Sequence, residues 1–104
     1  MDNRYYDEEF KERWFELPIM DQMSNVGREV AQVISWKRKG DYQKARNFCN
    51  IAIELLLLTK EDPKNKHGVE ELNSLVEELR DFFIENNTKG TTDEVLMRYC
   101  GAFL

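Results

Sequence analysis

Two cysteines, one histidine and two prolines are all this chain contains of those residues, and the scarcity excludes several kinds of chemistry. Cys49 and Cys100 form no Cys-x-x-Cys pair and have no histidine beside them, so neither a zinc ligand set nor a dithiol motif is spelled out. Buried, reduced thiols are the expectation. His67 stands beside Gly68 in a polar stretch and reads as an exposed side chain; no nucleophile or acid near it in sequence supports a catalytic role. The Glu-x-x-His motifs that build carboxylate-bridged metal centres in helical bundles are absent. So are the glycine-rich phosphate-binding patterns, G-x-x-x-x-G-K and G-x-G-x-x-G. The longest apolar run, Leu55 to Leu58, is one helical turn, against the roughly 20 residues of a bilayer span. The start, Met1 to Asp7, lacks the basic and apolar regions of a signal peptide. Together these absences lead us to expect a cytoplasmic, non-enzymatic protein with no cofactor, no metal and no membrane contact.

What is present points to a folded helical domain. A length of 104 residues suits one domain over 1–104, and a chain of that size buries roughly two thirds of its unfolded surface. The hydrophobic share of 41% is too high for a disordered chain, while 34% charged residues suit helices with one solvated face. A net charge of -5 disfavours nonspecific nucleic-acid binding, which needs a surplus of Lys and Arg.

The pattern from Pro18 to Thr59 predicts two amphipathic helices joined at Lys37-Arg38-Lys39-Gly40-Asp41. Pro18 suits a first helical position, and Met20, Met23, Gly27, Val30 and Ile34 then recur at helical spacing, with Ile19, Val26 and Val33 beside them. A glycine inside the apolar stripe suggests a close helix crossing at Gly27. Lys37, Arg38 and Lys39 complement the negative end of the first helix, Gly40 fits a left-handed C-terminal position, and Asp41 is a good N-cap for the second helix. There Tyr42, Ala45, Cys49, Ala52 and Leu56 form the stripe, and Ile51, Leu57 and Leu58 place apolar groups on the other side. Further helix must therefore cover this one. Glu29 and Glu54 lie off the stripes and read as solvated.

Before the hairpin, Phe10, Trp14 and Leu17 form one stripe of a short helix, which at that length needs docking on the hairpin or on another chain. Tyr5 and Tyr6 precede it as packing anchors. After the hairpin, Thr59 to His67 reads as a polar connection with a turn or helix start at Asp62-Pro63. Val69, Leu72, Leu75, Val76, Leu79, Phe82 and Phe83 then form a regular helical pattern to about Asn86-Asn87. Its acidic face, Glu70, Glu71, Glu77, Glu78, Asp81 and Glu85, reads as a solvated surface. Thr91 with Glu94 makes a capping box that opens a last short helix through Val95, Leu96 and Tyr99. The fold predicted is an all-α small helical bundle built on an antiparallel helical hairpin, with short terminal helices.

Trp36, Lys37, Arg38, Lys39, Lys44 and Arg46 are the one concentration of positive charge, with an aromatic ring beside it. As a binding surface it would take an acidic protein, an anion or RNA, with Trp36 available for stacking. As ordinary structure it is charge compensation at a helix end, with Trp36 a packing residue. The apolar groups Leu55 to Leu58, Trp14, Phe82 and Phe83 look more than one small bundle hides, which suggests a homodimer.

The blocks Glu12 to Val30, Ile34 to Asp41, Ala52 to Asn65 and Thr91 to Tyr99 together resemble a family of short helical prokaryotic proteins. The resemblance implies a helical fold and carries no established activity. Gly40-Asp41-Tyr42 with Ala45 and Ala52 is also similar to the elbow and second helix of a tetratricopeptide unit, present in a single copy where stacked repeats need neighbours. A third likeness is to the helical bundles that accompany minimal nucleotidyltransferases in toxin-antitoxin pairs. Their nuclease members place an arginine shortly before a histidine, whereas Lys60, Glu61, Asp62 and Pro63 stand upstream of His67. The sequence thus leads to a macromolecular interaction protein, binding itself and an unidentified protein; the alternative is a nucleic-acid-linked or toxin-antitoxin-type partner acting through the elbow.

Overall fold

A computed structural model of the chain describes residues 7–81. These form α1 (Glu8–Glu16), α2 (Ile19–Arg38), α3 (Tyr42–Glu61), a 3-10 helix (Pro63–Gly68) and α4 (Val69–Leu79), with no strand among the described residues. The fold is an all-α small helical bundle. Tyr5, Tyr6, Phe82, Phe83, Cys100 and the helix predicted from Thr91 lie outside the described residues.

Each helix boundary has a local cause. The Asp7 carboxylate accepts the Phe10 N–H at 2.9 Å and starts α1. Leu17, which precedes a proline, is extended with ψ 140°, and α1 stops there. Pro18 stands one position earlier than the pattern suggested: it is the capping residue, φ -61° and ψ 157°, and its carbonyl accepts the Gln22 N–H at 3.0 Å. Either position tolerates the missing N–H, so the pattern alone could not separate them.

Three residues then turn the chain between two 20-residue helices. Gly40 has φ +84°, its N–H reaches the Lys37 carbonyl at 3.0 Å, and the Asp41 N–H reaches the Trp36 carbonyl at 3.0 Å. This double closure satisfies two of the carbonyls that a helix end leaves open, and it needs a residue without Cβ at the left-handed position. The Asp41 carboxylate accepts the Lys44 N–H at 3.1 Å and starts α3. So short a turn folds α2 back against α3, and this is the most extensive helix–helix contact of the described residues.

α3 is the centre of the fold. It packs on α2, α4, the 3-10 helix and α1, as its apolar groups on several sides require. Its small residues Ala45, Cys49 and Ala52 are fully buried, and so are Met23, Val26, Val30 and Val33 of α2 opposite. α4 contributes Leu72, Leu75, Val76 and Leu79. α1 docks on its own bundle through Trp14, only 5% exposed, with Phe10, Phe15 and Leu17 packed around it.

Several expectations need correction. Met20 and Tyr42, assigned to the apolar stripes, are 53% and 60% exposed. The buried line of α2 instead runs through Met23, Val26, Val30 and Val33, which leaves Met20 at its margin. No close crossing occurs at Gly27: a Cβ there would meet nothing within 4 Å among the described residues. The polar connection after Thr59 is itself helical: α3 continues to Glu61, and the helix start suggested at Asp62-Pro63 is present, with Asp62 the cap and Pro63 the first residue of the 3-10 helix. Glu29 and Glu54 are half-buried, and Glu54 Oε2 finds no hydrogen-bond partner among the described residues. Asp81 is buried at 3% exposure, at a π turn over residues 80–81, and so is not part of a solvated acidic face. Leu55, Leu56 and Leu58 are buried and Leu57 is half-buried, so the apolar run is covered within one chain.

Candidate functional site

The turn between α2 and α3 gathers part of the predicted basic cluster around one ring. Trp36 is half-buried against the core, and the Lys39 and Lys44 ammonium groups lie 4.6 and 4.3 Å from its ring centroid. Lys39 is the C-cap residue that follows α2 and Lys44 lies in the first turn of α3, so the glycine turn sets the spacing of the two charges. Each ammonium over the indole face contributes about 0.5 to 1 kcal/mol at an exposed site. The ring therefore already carries cations, and the arrangement offers anions two held ammonium groups. Lys37 is half-buried, whereas Arg38 and Arg46 are exposed. Arg46 lies one helical turn before Cys49. Burial pushes the Cys49 thiol up to about 12, against the opposing pull of the Arg46 charge. Such a thiol stays protonated at neutral pH, and its Sγ lies 3.8 Å from the Leu79 carbonyl.

The opposite end of α3 carries a second polar assembly that the helical patterns did not reveal. Trp14 Nε1–H donates to Thr59 Oγ1 at 2.9 Å, and that hydroxyl donates to the Leu55 carbonyl at 2.7 Å. Gln22 Nε2 donates to the Trp14 carbonyl at 2.8 Å and to Asp62 Oδ2 at 3.0 Å. Asn65 Nδ2 donates to Gln22 Oε1 at 2.9 Å and to the Thr59 carbonyl at 3.0 Å. Lys64 Nζ closes the set on Asp62 and on the Phe15 carbonyl, the latter at 2.8 Å. Both N–H groups of each amide are used, so this is a satisfied buried network. Burial of Asp62 pushes its carboxyl pKa up, but hydrogen bonds from Lys64 and Gln22, with the Lys64 charge, outweigh that and hold it below the ordinary 3.8.

A signal for this network was present in the helical phase. Gln22 lies three residues after Ile19 and four before Val26, on the buried side of α2. Thr59 extends the spacing of Ala45, Cys49, Ala52 and Leu56 by one more step. A polar residue in an apolar phase needs a buried partner, and each of these has one. The network fixes α1 to the bundle; it contains no nucleophile paired with a base.

α1, α2 and α3 also bound an open groove of about 410 Å³. Trp14, Leu17, Ile51 and Leu55 line its apolar part, while Arg13, Asn25 and Glu29 supply the polar groups. Burial raises the Glu29 carboxyl above its usual 4.5, against the opposing charge of Arg28. His67 is exposed, as its polar surroundings suggested. Among the described residues no group of three or more His, Cys, Asp and Glu is placed to hold a metal ion, and no helix is long and apolar enough to cross a membrane. Set against protein-family models, curated proteins and solved structures, the chain matches none.

Proposed function

We propose that this is a non-enzymatic interaction protein of the cytoplasm that associates with itself and presents its elbow to an acidic surface of a partner protein. The observation that carries the reading is the pair of ammonium groups on Trp36. In a chain of net charge -5, two lysines from the two sides of the glycine turn are held 4.6 and 4.3 Å from one half-buried ring, with Arg38 and Arg46 nearby. Fixing the cations in advance lowers the ordering cost of meeting an anionic surface. For self-association, Glu70 and Glu71 on the exposed side of α4 are opposite in charge to the elbow. Two copies could pair reciprocally, elbow to α4, about a two-fold axis. The resemblance to short helical prokaryotic proteins adds no activity to this reading.

The test is binding of a fluorescein-labelled hexaglutamate peptide and of a single-stranded oligonucleotide of equal charge, with light scattering of the free protein. The reading expects peptide binding that weakens with salt and is lost in Lys39→Glu/Lys44→Glu, together with a dimer that the same change dissociates. Tighter binding of the oligonucleotide would favour a nucleic-acid-linked role. Unchanged peptide binding in the variant would remove the elbow from the account.

A further inference from the structure

We infer that the groove between α1, α2 and α3 binds a small hydrophobic cation, an alkyl- or arylammonium compound, with Glu29 as its counter-charge. A volume of about 410 Å³ falls within the range of small-ligand sites, roughly 300 to 1,000 Å³. Its apolar lining comes from Phe10, Trp14 and Leu17 at α1 and from Ile51 and Leu55 of α3, while α2 supplies the polar Asn25 and Glu29. The Phe10 and Trp14 rings stack with centroids 5.9 Å apart and both border the groove. Aromatic rings suit a neighbouring ammonium group as well as an apolar one.

The polar groups of the groove decide the charge of the ligand. Arg13 belongs to the rim: its side chain is 67% exposed and its contact with Glu9, at 3.8 Å, runs along the outside of α1. Glu29 belongs to the wall. It is half-buried, and no lysine or arginine among the described residues closes an ion pair on it. Asn25 uses one amide hydrogen on the Asp21 carbonyl at 2.9 Å, which leaves its side-chain oxygen as an acceptor on the same side of α2. A carboxylate and an amide oxygen both accept hydrogen bonds, and an ammonium group only donates them. A neutral apolar ligand would bury the Glu29 carboxylate further without replacing its water, and an anion would face it directly.

The experiment uses the full chain with Trp36→Phe, which leaves Trp14 as the one tryptophan and as a reporter in the groove wall. 2-Phenylethylamine, 2-phenylethanol and phenylacetate are titrated at pH 7 while Trp14 emission is followed. The amine is expected to bind at least about tenfold more tightly than the other two, a difference of about 1.4 kcal/mol, and Glu29→Gln is expected to abolish that preference. Glu29→Lys should reverse it in favour of phenylacetate, with far-ultraviolet circular dichroism confirming that both variants stay helical. Equal affinity for the three compounds overturns the inference, as does the absence of any saturable change at millimolar amine or a preference that survives Glu29→Gln. Because none of these readouts involves the elbow lysines, failure here leaves the elbow reading standing.

Discussion

The elbow between α2 and α3 and the opposite end of the bundle are both polar, yet they are assembled over different distances along the chain. At the elbow the backbone and capping bonds of the turn join near neighbours: Gly40 to Lys37, Asp41 to Trp36, Lys44 to Asp41. At the other end Trp14 meets Thr59 from 45 residues away, Gln22 meets Asp62 from 40, and Asn65 meets Gln22 from 43. Charge placed in water contributes little to stability, whereas a satisfied buried network becomes costly when one member is lost. Changes to exposed charge at the elbow should therefore cost the fold little. The buried end is what fixes α1, a nine-residue helix that could not persist alone.

The largest effect should come from breaking the buried end. Asp62→Ala leaves Lys64 and Gln22 without their shared acceptor and should lower unfolding stability by about 3 kcal/mol, read by urea denaturation. Acid should act on the same group. Its folded pKa lies below the unfolded one, so its stabilisation is complete above 3.8 and is lost as pH falls through the lower folded value. Asp62→Asn should flatten that part of the stability profile; an unchanged acid limb would mean that other carboxylates govern it.

A smaller loss is expected at the elbow. Asp41→Ala removes the cap of α3 and should cost about 1 kcal/mol. Likewise, Lys39→Gln/Lys44→Gln should shift stability by no more than about 2 kcal/mol in total, since each cation–ring contact is exposed and weak. A loss as large as that of Asp62→Ala would erase the distinction between the two ends.

The smallest change runs in the opposite direction. Gly27 has a negative φ inside α2 and open space around it among the described residues, so Gly27→Ala should raise stability by about 0.5 to 1 kcal/mol. Thermal denaturation would detect it, and destabilisation would mean that the glycine is needed for packing.

How far the sequence could be read follows the same division. Gly40 and Asp41 carry their roles in their chemistry, a left-handed position and a carboxylate cap, and the helices they separate were legible with them. The apolar phases of α3 and α4 also predicted their buried faces, because burial repeats with the helical period. Met20, Tyr42 and Gly27 misled, since an apolar or small residue at the edge of a stripe has the same spacing as one at its centre. Gln22 and Thr59 lie in the apolar phase, which signals that they are buried, but their partners, Asn65 among them, are fixed only when distant segments meet. Of the candidate site, the cluster was legible as composition. Which lysines share the Trp36 ring depends on the turn geometry, and the groove with Glu29 depends on how α1 lies across two other helices.

The central claim is that the buried end behaves as one unit. A double-mutant cycle on Gln22→Met and Asn65→Leu tests it most directly, with unfolding free energies taken from urea denaturation. Each single change should strand buried partners, and the double should cost less than the two together, with a coupling above about 1 kcal/mol. Additivity to within about 0.3 to 0.5 kcal/mol would contradict the account, because it would mean that these residues stabilise the bundle separately.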